Sequence, residues 1–408
     1  MEGFPSPKFV MIRSIFRFCL PLTLLLTPLA AQRSPTDIGD ITVAAAVKTI
    51  PVRVSASPED LDQLANFAFE VHGRYRRVAA DPLFDIRFTA VAGNRVQVDV
   101  SRGTTRVMSR AVTGTSLRNA LLRAADLVVE ETSDLQGFFA SQLAFIGTRT
   151  GATEVYTSDL FFGGVRQLTS DRASAMSPHW SPDGTKLLYT SFHRSNGADL
   201  FEIDMRSMQR TSFVSFKGTN QSGRYSPDGS KVAMVLSGEG NPEVYTANAN
   251  GRGVKRITRT SGVESSPTFS PDGRQLLFTS DMAGGPQLYV MPVEGGRASR
   301  LPTNISRYCA EPDWSKGDPN KIAFTMRIGS GFQIGLYDRS TRAAATQVSK
   351  APQDAVEPAW LADGRHLLYT ARSPNQRSIW ILDTESGKAT QLSSRSLGPA
   401  SQAAVVRP

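Results

Sequence analysis

The chain has 408 residues, long enough for two domains, with 46 Lys and Arg against 37 Asp and Glu and a formal net charge of +9. The basic excess is scattered, with no basic-aromatic cluster or recognition helix, so it reads as a solvated surface and argues against a nucleic-acid-binding protein.

The first 31 residues read as a secretory leader. Arg13 and Arg17 flank an apolar stretch from Phe18 to Leu26, and Leu29-Ala30-Ala31 offers small residues for cleavage before Gln32. The stretch is too short for a membrane span, and Met11 provides a second possible start just ahead of the basic pair. Without the leader, 43 basic and 36 acidic residues remain and Cys309 is the one cysteine, so no intramolecular disulfide can form. Its expected role is a small buried side chain.

Residues 32–136 do not repeat and predict a small α/β domain of the α+β kind. Ile50, Val52 and Val54 alternate as in a half-buried strand. Ser57-Pro58 predicts a helix start, with Leu61, Leu64, Ala65, Ala68 and Val71 on one face. Phe84–Phe88 and Val96–Val100 flank Gly93-Asn94 as a hairpin, and Arg106–Val112 suggests a further strand. Ser116 caps a second helix carrying Leu117, Ala120, Leu121, Ala124 and Val128 on one face. Ser133–Gly137 is expected to be a hinge, with Phe138-Phe139 packed at the junction.

From residue 137 to 408 the chain repeats. Trp180-Ser181-Pro182-Asp183-Gly184 recurs as Tyr225 to Gly229 and Phe269 to Gly273, with weaker copies from Trp314 to Asp318 and Trp360 to Gly364. The aromatic positions are 45, 44, 45 and 46 residues apart. Each phrase is a tight turn followed by an apolar strand such as Leu187-Leu188-Tyr189, with two more short strands after it. Four short strands at this period predict a β-propeller blade. Leu143-Ala144-Phe145 supplies a sixth such strand with no phrase before it, so the fold expected is mainly β: a six-bladed propeller whose first blade takes its inner strand from the C-terminal tail. Pro399 of that tail aligns with Pro178, Pro267, Pro312 and Pro358, which puts Ser401 at the aromatic position. Gly335 is the odd member of the second strands, with no aromatic to pack.

A leader, a small α/β domain and six blades bearing this phrase resemble the TolB family, as does the join Leu135-Gln136-Gly137-Phe138-Phe139-Ala140-Ser141-Gln142-Leu143-Ala144-Phe145. The resemblance implies a non-enzymatic periplasmic scaffold of a Tol–Pal-type envelope system, a monomer acting in outer-membrane integrity and cell division. It implies docking of a Pal-like peptidoglycan-associated lipoprotein at the channel mouth. It also implies a TolA-like inner-membrane partner for the mature N-terminus, although Gln32–Ile41 shows no recognisable match to that segment.

Catalytic signatures are sparse. His72, His179, His193 and His366 lack metal-pair spacing, and no Gly-x-Ser-x-Gly elbow occurs. No cofactor, metal or catalytic residue is assigned. The alternative is a propeller hydrolase or lyase, or a small-ligand or carbohydrate binder, using the central channel. Asp183-Gly184, Asp228-Gly229, Asp272-Gly273 and Asp363-Gly364 read as turn builders, each in its own blade and unable to converge on one ion. Glu311 and Glu357 precede Pro in Glu-Pro-x-Trp on channel-facing strands, and Ser177 and Ser266 share their register. These four are the candidate partner-binding residues, weighed against mere hydration of a water-filled channel.

Overall fold

The computed structural model describes residues 49–194 and 197–407, so the leader and Gln32–Ile41 lie outside the described residues. Among the described residues no helix is long and apolar enough to cross a membrane.

The N-terminal part contains β1 (Ile50–Ser57), α1 (Glu59–Val71), β2 (Tyr75–Arg77), β3 (Phe84–Val91), β4 (Arg95–Arg102), β5 (Thr105–Thr113) and α2 (Leu117–Ser133). The sheet order is β2-β1-β3-β4-β5; β1 runs parallel to both neighbours, and β3 to β5 are antiparallel. Both helices pack on this sheet and on each other, burying the apolar face expected of α1, with Phe69 added. The start of α1 differs by one residue from expectation. Ser57 still pairs within β1, Pro58 takes the cap position without a side-chain bond, and Asp62 instead accepts the Ala56 N–H at 2.7 Å. Three acidic residues in the first turn, Glu59, Asp60 and Asp62, suit the positive end of the helix dipole. In α2, Ser116 accepts the Asn119 N–H at 3.1 Å.

Six four-stranded antiparallel sheets follow, numbered here as blades 1 to 6. The inner strands of blades 2 to 6 are Ala175–Trp180, Asn220–Tyr225, Glu264–Phe269, Cys309–Trp314 and Asp354–Trp360. Aromatic pairs stack across the second and third strands: Phe145 on Tyr156, Tyr189 on Phe201, Phe278 on Tyr289 and Tyr369 on Trp380. Blade 5 explains Gly335. The Phe324 ring lies over it, and a Cβ there would fall 2.6 Å from that ring.

Blade 1 is closed by Ala400–Val406, antiparallel to Gln142–Gly147. The register corrects the alignment of the tail. Val405 faces Leu143 as Trp180 faces Leu187, so Val405 holds the aromatic position and Ala403 the proline position. Pro399 and Ser401 lie four residues too early. The neighbouring blade seats on this strand as it does in blade 5: Trp180 donates its indole N–H to the Ala404 carbonyl at 3.2 Å, as Trp360 does to the Asp313 carbonyl at 3.1 Å.

The two parts share one continuous core. Phe138 and Phe139 are fully buried in it, and Phe139 packs against Phe69 and Phe161. The segment after α2 is braced rather than free. The buried Asp126 carboxylate accepts the N–H groups of Phe139 at 2.6 Å and Ala140 at 3.2 Å, and Gly137 lies against it so closely that a Cβ would meet Asp126 Cβ at 2.4 Å. Further ties reach the turn side of blades 1 and 6: Arg118 to Asp159, Lys388 to the Glu70 carbonyl, and Arg407 to Glu130. Replacing Asp126 by Ala leaves two buried N–H donors without partners and is expected to lower stability by about 3 kcal/mol, read as a fall in the urea midpoint at unchanged slope.

Candidate functional site

All six inner strands carry a register shift at their centre. At each, one non-glycine residue takes a left-handed conformation: Ser177, Ser222, Ser266, Glu311, Glu357 and Gln402, with φ between 50° and 58°. Such a conformation costs on the order of 1 kcal/mol per residue, so six in a ring must be held by their surroundings. Bulges re-aim side chains, and here all six line one cavity of about 110 Å³ in the channel. The four residues singled out from the sequence are thus placed together, with Ser222 and Gln402 completing the ring.

A hydrogen-bond relay from blade to blade holds much of it. Glu311 Oε2 accepts from Thr325 Oγ1 at 2.7 Å and from the Glu357 N–H at 3.1 Å. Glu357 Oε2 accepts from Thr370 Oγ1 at 2.7 Å and from the Gln402 N–H at 3.2 Å, while its Oε1 accepts from Gln402 Nε2 at 3.1 Å. Gln402 Oε1 then accepts the Ser177 N–H at 2.7 Å, and Thr190 accepts the Ser222 N–H at 3.1 Å. Both glutamates therefore brace neighbouring blades as well as facing the cavity. Burial pushes the Glu311 carboxyl above the usual range, and the adjacent Glu357 adds to this against the opposing Thr325 and Glu357 donors.

A second chamber of about 350 Å³ lies toward the Asp-Gly turns and touches Gln136 and Ser141 of the join. It is crossed by an ion pair between blades 3 and 5, Arg224 Nη1 to Asp313 Oδ1 at 2.7 Å. Burial lowers the Lys316 ammonium here. His179 is held well below its ordinary value by burial and by the Arg224 and Lys316 cations, so it stays neutral at pH 7. The channel thus carries two glutamates on one level, and Arg224, Asp313 and Lys316 on the next.

The turn aspartates are local. Asp183 accepts from Ser181 Oγ at 2.6 Å and the Thr185 N–H at 3.1 Å, Asp228 from Ser226 Oγ and Ser230 N–H, and Asp272 from Ser270 Oγ and Arg274 N–H. These donors hold the Asp183 and Asp228 carboxyls down to about 2. Gly184, Gly229, Gly273 and Gly364 follow with φ of 65° to 72°, where a side chain would be strained. Asp363 stands apart. Leu361 replaces the serine, and the Asp363 side chain is buried, accepting from the Arg365 and His366 N–H groups and bonding His366 Nδ1 at 2.6 Å.

The opposite mouth, where the inner strands begin, is different. Phe192, Phe216 and Val263 on its loops, and Ile328 at the end of the strand Lys321–Ile328, are 42%, 51%, 46% and 41% exposed. Among the described residues, these are four of the five large exposed hydrophobics.

A family model described as PD40, the TolB beta propeller domain, matches residues 129–404. This chain belongs to the TolB family. The chain is 32% identical over 190 residues to the Tol-Pal system protein TolB of Anaeromyxobacter dehalogenans, covering 45% of this chain and 38% of that one. It is 29% identical over 226 residues to the TolB of Desulfotalea psychrophila, covering 53% and 49%. The matched stretches span between about a third and a half of the length of these TolB relatives. The crystal structure of TolB from Acinetobacter baumannii superposes with a TM-score of 0.79 at 22% identity, covering 88% of this chain and 96% of that one, a likeness of fold.

Sequence reasoning could have found Ser222, which precedes Tyr225 by three residues as Ser177 precedes Trp180. Gln402 was hidden by the four-residue misalignment of the tail, and the meeting of His72 with Asp363 and His366 has no local signal.

Two outcomes are expected at the ring. Because the folded state holds the Glu311 proton more tightly than the unfolded chain, its contribution is complete below the ordinary glutamate range and is lost as pH rises from that range through the raised folded-state value. Urea midpoints measured from about pH 4 to pH 7 should therefore fall more steeply for the native protein than for Glu311→Gln. Gln402→Ala cuts the link between blades 6, 1 and 2 and should cost about 2 kcal/mol in the same measurement.

Proposed function

We propose that this TolB-family chain is a non-enzymatic periplasmic scaffold of a Tol–Pal-type system, acting in outer-membrane integrity and cell division. Its primary partner is a Pal-like peptidoglycan-associated lipoprotein. A TolA-like inner-membrane protein, met by the N-terminal segment, is the second. The observation that carries the reading is the asymmetry of the two channel mouths. The turn-side mouth is bordered by the small domain and its join, whereas at the other end blades 2 to 5 expose Phe192, Phe216, Val263 and Ile328. Exposed apolar groups around a polar cavity suit protein docking. The ring carboxylates a lyase or hydrolase would recruit are already bonded to adjacent blades, which favours a rigid docking face over a catalytic one. The names of the TolB relatives, "Tol-Pal system protein TolB", support the same assignment.

The test is crosslinking in cells followed by identification of what is recovered with the protein. Recovery of an envelope lipoprotein is expected, and Phe216→Asp with Val263→Asp should reduce it by about tenfold or more. Recovery of no lipoprotein, or unchanged recovery with the double variant, would remove the docking assignment.

A further inference from the structure

His72 closes α1 and is wholly buried, and neither of its ring nitrogens has a hydrogen-bond partner. A neutral imidazole has one donor and one acceptor, and leaving both unmet in the interior is unfavourable. The ring is nevertheless held firmly, stacked on Phe138 at 5.1 Å and 19° and edge-on to Tyr75 and Phe139. Across the joint stand Asp363 and His366 from the turn of blade 6, both buried. One donor atom from each of the three lies within 4.8 Å of the other two. The His72 and His366 rings meet at 4.6 Å between centroids.

We propose that His72, Asp363 and His366 form a binding site for a divalent transition-metal ion of the zinc class, which staples the N-terminal domain to the propeller. The donor chemistry selects the ion. Two imidazole nitrogens and one carboxylate oxygen suit zinc, whereas calcium and magnesium require sets of oxygen ligands. Asp363 Oδ2 and His366 Nδ1 already share one turn, hydrogen-bonded at 2.6 Å, while His366 Nε2 is bonded to the His72 carbonyl oxygen, so the ion takes the place of the Nδ1 proton, which is released to solvent. The third comes from the other domain with its nitrogens uncommitted. The nearby cation does not compete, because Arg365 is bonded to Asp383 through both Nε and Nη2 and to Glu385 through Nη1. Gly73, beside His72, fits the same tight joint: a Cβ there would fall 2.2 Å from Asp383 Oδ2.

The test uses the full chain without a polyhistidine tag, stripped with chelator and titrated with Zn(II), and with Co(II) as a visible-absorption probe. One ion per chain is expected, with a rise in the thermal midpoint and Co(II) bands of low-symmetry coordination. His72→Phe preserves the ring stacking, so it should fold while binding Zn(II) at least about 100-fold more weakly. The proposal is overturned if the native chain takes up less than about one-tenth of an equivalent at micromolar free Zn(II), or if His72→Phe binds as tightly as the native chain. Should His72→Phe lose its far-UV spectrum, Asp363→Asn decides in its place: native affinity in that variant overturns the site, and its loss supports it.

Discussion

A sheet edge left open in a ring exposes a row of unpaired backbone groups, and the whole propeller depends on one strand that removes the last such edge. Ala400–Val406 lies against Gln142–Gly147. The same seven residues do more than pair. Gln402 links Glu357 of blade 6 to Ser177 of blade 2, the Ala404 carbonyl receives the Trp180 indole, and Arg407 just beyond reaches Glu130 on α2. Ring closure, the channel lining and the attachment of the N-terminal domain thus converge on one segment.

The channel ring shows how a repeat builds a site without a chemical motif. The Asp-Gly turn fixes where each inner strand ends, and three residues before the aromatic the chain bulges inward with a left-handed residue. What that residue is varies from serine to glutamate to glutamine, and at Ser177, Ser222, Glu357 and Gln402 it is the backbone N–H that is held by a side chain of the preceding blade. In blades 5 and 6 the side chain is long enough to catch the next blade's N–H itself, with Thr325 and Thr370 beside it.

The period, the turn phrase and the alternation of apolar strand residues were enough to read the number of blades, their four-strand order and closure by the tail. These are local signals repeated many times, so an error in one copy is outvoted. The tail was misread by four residues because it is a single copy in which Ala403 and Val405 replace the proline and aromatic that anchor the other alignments. The start of α1 lies one residue later than the Ser-Pro signal implies because Ser57 is still paired in β1, leaving Pro58 at the cap with no side-chain bond. The glutamates were legible as channel-facing from their register alone, but their bonds to neighbouring blades were not, since these connect residues about 45 apart through space. The buried meeting of His72 with Asp363 and His366 is further still from local reading: it joins residues nearly 300 positions apart.

That the ring closes on a pairing between Ala400 and Gly147, 253 residues apart, has a kinetic side. Every other neighbour pair in the blades is a near-sequence hairpin that can zip soon after its turn forms. The seam alone must wait for all six sheets to curve round, and the loop-closure entropy falls on this one step. Blade 1 is therefore the place where the ring is last completed, and with blade 6 it is one of the two blades tied to the joined domain. A circular permutation that turned this seam into a hairpin would keep every native contact while shifting the slow step to another blade boundary.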